Sequence, residues 1–196
     1  MFGTGFSVNI WQSTACTKGY GEAEEFDYAV TYQNSLFNDS KYKTEYSVSY
    51  VYYDYFRIND DKADAQEFNM SLSWPDICSF GVTPTYTVAY MYPSEPSSTA
   101  ARLGLNGFAH ILGLSYDYVI PDMEQPITLS WDITYNDGQG GTSVEHDWSH
   151  MTWGLATGFD YGPGSFAPAV YFQTSMEDSV NTEDEFWATL SYSISF

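Results

Sequence analysis

Three histidines, two cysteines and a surplus of carboxylates hold the reactive chemistry of this 196-residue chain. His146 stands in Glu145-His146-Asp147, with His150 four residues on. An Asp beside a His can activate water as a general base, so His146 and His150 form one candidate hydrolytic rim site. Spacing sets neither a second Asp pair nor a nucleophile beside them, and the plainer reading is a solvated acidic loop. His110 falls between Phe108 and Leu112 in an apolar alternation. A Ser–His hydrolase there would need a serine on the same face, and the next segment offers Leu129, Trp131 and Ile133 instead. No catalytic residue is assigned, and the chain is read as a non-enzyme.

Metal and cofactor chemistry fare no better. Cys16 and Cys78 lack ligand-like spacing, and no histidine lies near enough in sequence to complete a zinc set. The clusters Asp60-Asp61 with Asp64, and Glu177-Asp178 with Glu183-Asp184-Glu185, do not have the spacing of a calcium loop. They read as charged loops, with cation bridges to lipid A phosphates as the weaker option. With 26 acids against 6 bases, a formal net charge of −20, the chain repels nucleic acid. No metal, cofactor or nucleic-acid partner is expected.

The elements that position these residues alternate with a period of two, the mark of a strand with unlike faces. Ten segments do so, at about 5–12, 25–33, 41–53, 66–74, 82–92, 107–120, 127–135, 150–159, 166–175 and 186–196. The fourth is the cleanest: Phe68, Met70, Leu72 and Trp74 oppose Glu67, Asn69, Ser71 and Ser73. Aromatics reach 19%, more than a soluble core of this size needs, so many should lie on a surface that is not water. The opposite faces carry mostly Gly, Ala, Ser, Thr and Asn with isolated carboxylates, which suits a crowded interior where those acids can hydrogen-bond. Segments of about ten alternating residues are the signature of a transmembrane β-barrel. No run of about 18 apolar residues suggests a membrane-spanning helix.

Connection lengths support the same fold. Links after odd-numbered strands are long (13–24, 54–65, 93–106, 137–149, 176–184) and those after even-numbered strands are mostly shorter (34–40, 75–81, 121–125, 161–164). Long outer loops and short periplasmic turns are the rule for such barrels. Cys16 then lies in an outer loop and Cys78 in a turn across a wall about 25 Å tall, too far for a disulfide, whose Cα atoms lie within about 7 Å. Both should be free thiols. Tyr50, Tyr52, Tyr90, Tyr92 and Tyr135 would form the outer aromatic belt, with Tyr32, Tyr42, Trp74, Tyr116, Tyr118 and Phe196 the inner one. By parity Glu25, Asp27, Glu45, Glu67, Asp117, Asp132 and Asp160 point into the lumen, with Lys43 the only inward base within the strands. A water-filled lumen would then prefer cations; one filled by side chains would be plugged, with several acids neutral near pH 7.

The last twelve residues end on Tyr192, Ile194 and the terminal Phe196. They resemble the closing strand of bacterial outer-membrane barrels, which the insertion machinery recognises. Gly5-Phe6-Ser7-Val8-Asn9-Ile10-Trp11, Glu25-Phe26-Asp27-Tyr28 and Tyr50-Val51-Tyr52-Tyr53-Asp54-Tyr55 resemble the uncharacterised outer-membrane barrel family catalogued as Gcw-chp, over most of the chain. That resemblance implies no established activity and no catalytic residues. It does imply an exported leader and about two further strands ahead of the Gly-Phe segment. The present start, Met1-Phe2-Gly3-Thr4-Gly5, has neither a basic nor an apolar leader and is expected to be mature or cut short.

The expectation is a single domain over 1–196: an antiparallel up-and-down barrel of ten strands, or twelve if the front is missing, integral to the bacterial outer membrane. It would contact outer-membrane lipid and lipopolysaccharide, and the insertion machinery during biogenesis. Its leading role is a narrow cation-preferring channel or a plugged structural barrel. The alternatives are the rim hydrolase, or an interaction protein whose acidic loops bind an envelope partner.

Overall fold

The computed structural model describes residues 5–14, 24–56, 64–95, 106–121, 123, 125–139, 144, 146–180 and 182–194. β-branched and aromatic residues alternating with small polar ones fit a pleated surface. The described residues form strands, turns and bends, with no helix. The strands are β1 (Phe6–Ser13), β2 (Glu25–Leu36), β3 (Thr44–Asp54), β4 (Ala65–Ser73), β5 (Val82–Pro93), β6 (Gly107–Tyr118), β7 (Ile127–Asp137), β8 (Asp147–Ala156), β9 (Phe159–Tyr161), β10 (Gly164–Ser175) and β11 (Glu185–Ile194).

All belong to one antiparallel sheet in up-and-down order, β1 to β8 and then β10 and β11, with the short β9 paired to β10. β9 continues β8 in the same register, since Ala156 faces Ala169 and Phe159 faces Phe166. Opposite the break stands Pro168, which has no N–H to give the ladder. It accepts one bond from the Thr157 N–H, at 3.2 Å. The expected ten-strand meander is therefore present, its eighth strand cut by a proline on the neighbour. One irregularity has no counterpart in the alternation: a bulge at Ser149. Thr134 pairs with His150 while Tyr135 pairs with Trp148, so Ser149 is the extra residue.

The expected closure is not made. Among the described residues β1 pairs only with β2 and β11 only with β10, leaving a free edge on each. Alternation within a strand determines its faces and its local partner, but does not encode pairing between chain ends, which also needs a fixed stagger around the barrel.

Register puts like with like across the whole sheet. On one face Val8 opposes Val30 and Val30 opposes Tyr50, while Tyr32, Val48, Met70 and Val88 oppose one another in turn. Leu112, Ile133 and Met151, then Phe172 and Phe186, carry that face to the other edge. Its bulky side chains are largely exposed, whereas the buried hydrophobic residues among those described are four alanines: Ala65, Ala89, Ala109 and Ala169. Those alanines, with Glu67, Thr134 and Asn136, lie on the polar face. A flat single sheet would expose both faces alike. Burial on one side fits a sheet curled around its small polar residues, with its large apolar ones outside.

Candidate functional site

The seven expected lumen acids lie on the polar face, at three heights. At the long-loop end, β2, β3 and β4 bring Glu25, Asp27 and Glu67 together. Asp27 sits opposite Tyr53 on β3 and Trp11 on β1. Glu67 is buried; its Oε1 accepts from the Tyr53 hydroxyl at 3.2 Å and from Asn69 Nδ2 at 2.7 Å. The Tyr55 N–H donates to Asp64 Oδ1 at 3.0 Å, and Asp64 Oδ2 accepts from Tyr52 at 2.6 Å. Burial first, then the charge and hydrogen bond of Glu25, push the Tyr55 phenol upward, so it stays a donor. Asp27 Oδ1 is buried without a hydrogen-bond partner.

Mid-height holds Asp132, opposite Gly113 and Thr152. Near it stands His150, whose Nδ1 lies 2.6 Å from the fully buried Ser149 Oγ. At the turn end the acids separate. Glu45 forms a 2.7 Å ion pair with Lys43, which precedes β3. Asp117 accepts from Thr128 Oγ1 at 2.6 Å, and Asp160 is exposed opposite Ser165. A cleft of about 450 Å³ opens on this end, lined by Gln33, Ser35, Glu45, Ser47, Ser71 and Ser73 among others. Of the seven expected lumen acids, three form one cluster, one joins a histidine, and three are dispersed.

The two candidate rim histidines are not brought together. His146 Nδ1 lies 2.6 Å from Asp137 Oδ1, and Asp137 shares the parity of the apolar-face residue Tyr135. His150 faces the other way, opposite Thr134. His110 lies on the apolar face, as parity expects, and its Nδ1 meets the Tyr86 hydroxyl at 2.8 Å. The adjacent strand β7 offers it no serine, and its partner stands on the other side, on β5. Asp137 Oδ2 lies 4.0 Å from His110 Nε2, so a polar chain of Tyr86, His110, Asp137 and His146 interrupts the apolar face near the loop end.

Sequence reasoning also missed the inward tyrosines. The signal was there: in Tyr52-Tyr53 adjacent rings must take opposite faces, and Tyr53 is the one that reaches Glu67. The apolar-face aromatics do form contacts: Tyr50 and Tyr92 flank Phe68, and both hydroxyls donate to Gln66 Oε1, at 2.6 and 3.0 Å. At the other end Tyr32 contacts Phe6 and Tyr46. Of the expected insertion signal, Tyr192 packs on Phe166 with ring centroids 4.6 Å apart. Ile194 ends β11 opposite Gly164; Phe196 lies outside the described residues, as does Cys16. Cys78 is a free thiol. No group of three or more His, Cys, Asp or Glu among the described residues could hold a metal ion. Comparison with known protein families, curated proteins and solved structures finds no match for this chain.

Proposed function

We propose that the chain is an integral outer-membrane β-barrel, closed edge to edge in the bilayer and narrowed at its loop end. The observation that carries this is the inverted burial: valines, leucines and phenylalanines outside, alanines and hydroxyl residues inside. In water such a sheet would leave an apolar face spanning every strand exposed, far beyond the patches soluble monomers carry. In hydrocarbon that face is solvated, and closure satisfies the edge N–H and C=O groups that lipid cannot. With ten strands in up-and-down order, the first and last run antiparallel, so closure needs no reversal of either. The likeness to the Gcw-chp barrels, and a closing strand suited to the insertion machinery, belong to the same reading.

Crowding around Glu67, Tyr53 and the buried alanines favours a plugged barrel over an open pore. A second reading, a narrow cation-preferring channel, draws on the carboxylate lining and the polar cleft at the turn end. Recordings from planar bilayers in a KCl gradient decide between them. No conductance supports the plug, and small cation-selective events support the channel. A reversal potential of the anion-selective sign would contradict the acidic lumen. The rim hydrolase has weaker support, since its two histidines take different faces.

A further inference from the structure

We infer that the short turns form a lipid-anchoring foot, which seats the turn end of the sheet in a phospholipid headgroup layer. This rests on the membrane reading and extends it from the strands to the connections.

Away from the two free-edge strands, the most exposed large apolar side chains among the described residues are four, one at each short turn. Phe37 (67%) follows β2, Phe80 (70%) precedes β5, Val119 (72%) follows β6 and Tyr161 (67%) closes β9. Four separate segments thus put one bulky apolar group each at the same end of the sheet. Turn residues in water are ordinarily Gly, Pro, Asn, Asp and Ser, so the repetition needs a cause other than turn chemistry.

Phe37 strengthens the case. It is the only non-glycine among the described residues with positive φ, at 57°, a conformation a bulky side chain enters only with strain. Glycine would fit that turn better. What the phenylalanine offers in return is an exposed ring, and its packing inside the protein cannot explain it.

Two of the chain's six Lys and Arg residues, Lys41 and Lys43, lie in the turn that holds Phe37, while Lys18, Arg57, Lys62 and Arg102 fall in the long links. Lys43 is engaged by Glu45, while Lys41 lies over the Tyr42 ring, 4.9 Å from its centroid. An exposed ammonium beside exposed rings suits lipid phosphates and glycerol-level apolar surface, where amphipathic and aromatic side chains settle. The apolar sheet face also runs continuously into these tips, through Tyr118 to Val119 and Phe159 to Tyr161.

Site-directed nitroxide labels test this on the full chain, with Cys16→Ser and Cys78→Ser as background. Labels at Phe37→Cys, Phe80→Cys, Val119→Cys and Tyr161→Cys would be compared, in phosphatidylethanolamine–phosphatidylglycerol vesicles, with Leu129→Cys and Leu155→Cys on the apolar face and Ser179→Cys in a long loop. The expected result is a loss of access to a water-soluble nickel complex at the four tips relative to Ser179, with oxygen access raised but below that at Leu129 and Leu155. Tips as open to the nickel complex as Ser179, with Leu129 and Leu155 still in lipid, would overturn the foot alone, leaving a protein partner or none. Nickel access at Leu129 and Leu155 as well would overturn the membrane reading, and the foot with it.

Discussion

At the scale of single residues, what matters is how little space the polar face leaves. A Cβ added to Gly107 would run into the backbone of Gly138 and Gln139, which cannot swing aside. One added to Gly113 would crowd the Thr85 hydroxyl, at 2.5 Å, but a side chain can rotate, and its next neighbours, Trp131 O and Asp132 Cβ, stand at ordinary contact distances of 3.6 and 3.8 Å. Gly107→Ala should therefore destabilise the protein by about 1–3 kcal/mol, the usual cost of overpacking, and Gly113→Ala by clearly less. Urea titrations followed by tryptophan fluorescence in detergent check this; equal shifts would mean the two environments have been misjudged. Much of the site at this scale was legible, because parity alone turned Glu25, Asp27, Glu67 and Asp132 to one face. Their partners were not. Whether Glu67 meets Tyr53, or His146 meets Asp137, depends on cross-strand register and loop path, which a period of two does not contain.

At the scale of elements, each strand is a two-faced unit, and the test is to make the faces unequal. Leu129 lies exposed on the apolar face of β7, and Thr128 beside it points to the other, bonded to Asp117. Leu129→Arg, or Leu155→Arg on β8, should cost about 2–4 kcal/mol if that face meets hydrocarbon near the midplane. Thr128→Arg should cost less, since an arginine there can pair with Asp117. Equal penalties in vesicle-based unfolding would reverse or abolish the assigned faces. All ten long strands could be read from alternation because polar and apolar sides differ so sharply. The bulge at Ser149 and the cut at Thr157–Gly158 could not. The first shifts the phase by one residue without a marker in composition, and the second is caused by a proline on another strand.

At the scale of the whole molecule, the described residues leave an unpaired edge on β1 and on β11, and closure would satisfy both. In a background without native cysteines, Val8→Cys should form a disulfide with at least one of Ala188→Cys, Leu190→Cys or Tyr192→Cys on mild oxidation, within the monomer. All partners sit on the apolar face of their strands, so geometry allows a bond at the correct stagger. Failure of every pair, or bonds only between copies, would favour an edge completed by other strands or another chain.

The central claim, that the exposed apolar face meets lipid hydrocarbon, has its most direct test in the protein's own tryptophans. Trp131 and Trp153 face each other across β7 and β8 on that face, with ring centroids 6.1 Å apart, whereas Trp11 and Trp187 lie on the polar face. In vesicles of lipids brominated at mid-chain, the fluorescence should be strongly quenched, and Trp131→Phe with Trp153→Phe should remove most of the quenchable part. Quenching unchanged by that double substitution and independent of bromine depth, or a protein that stays in water apart from the vesicles, would contradict it.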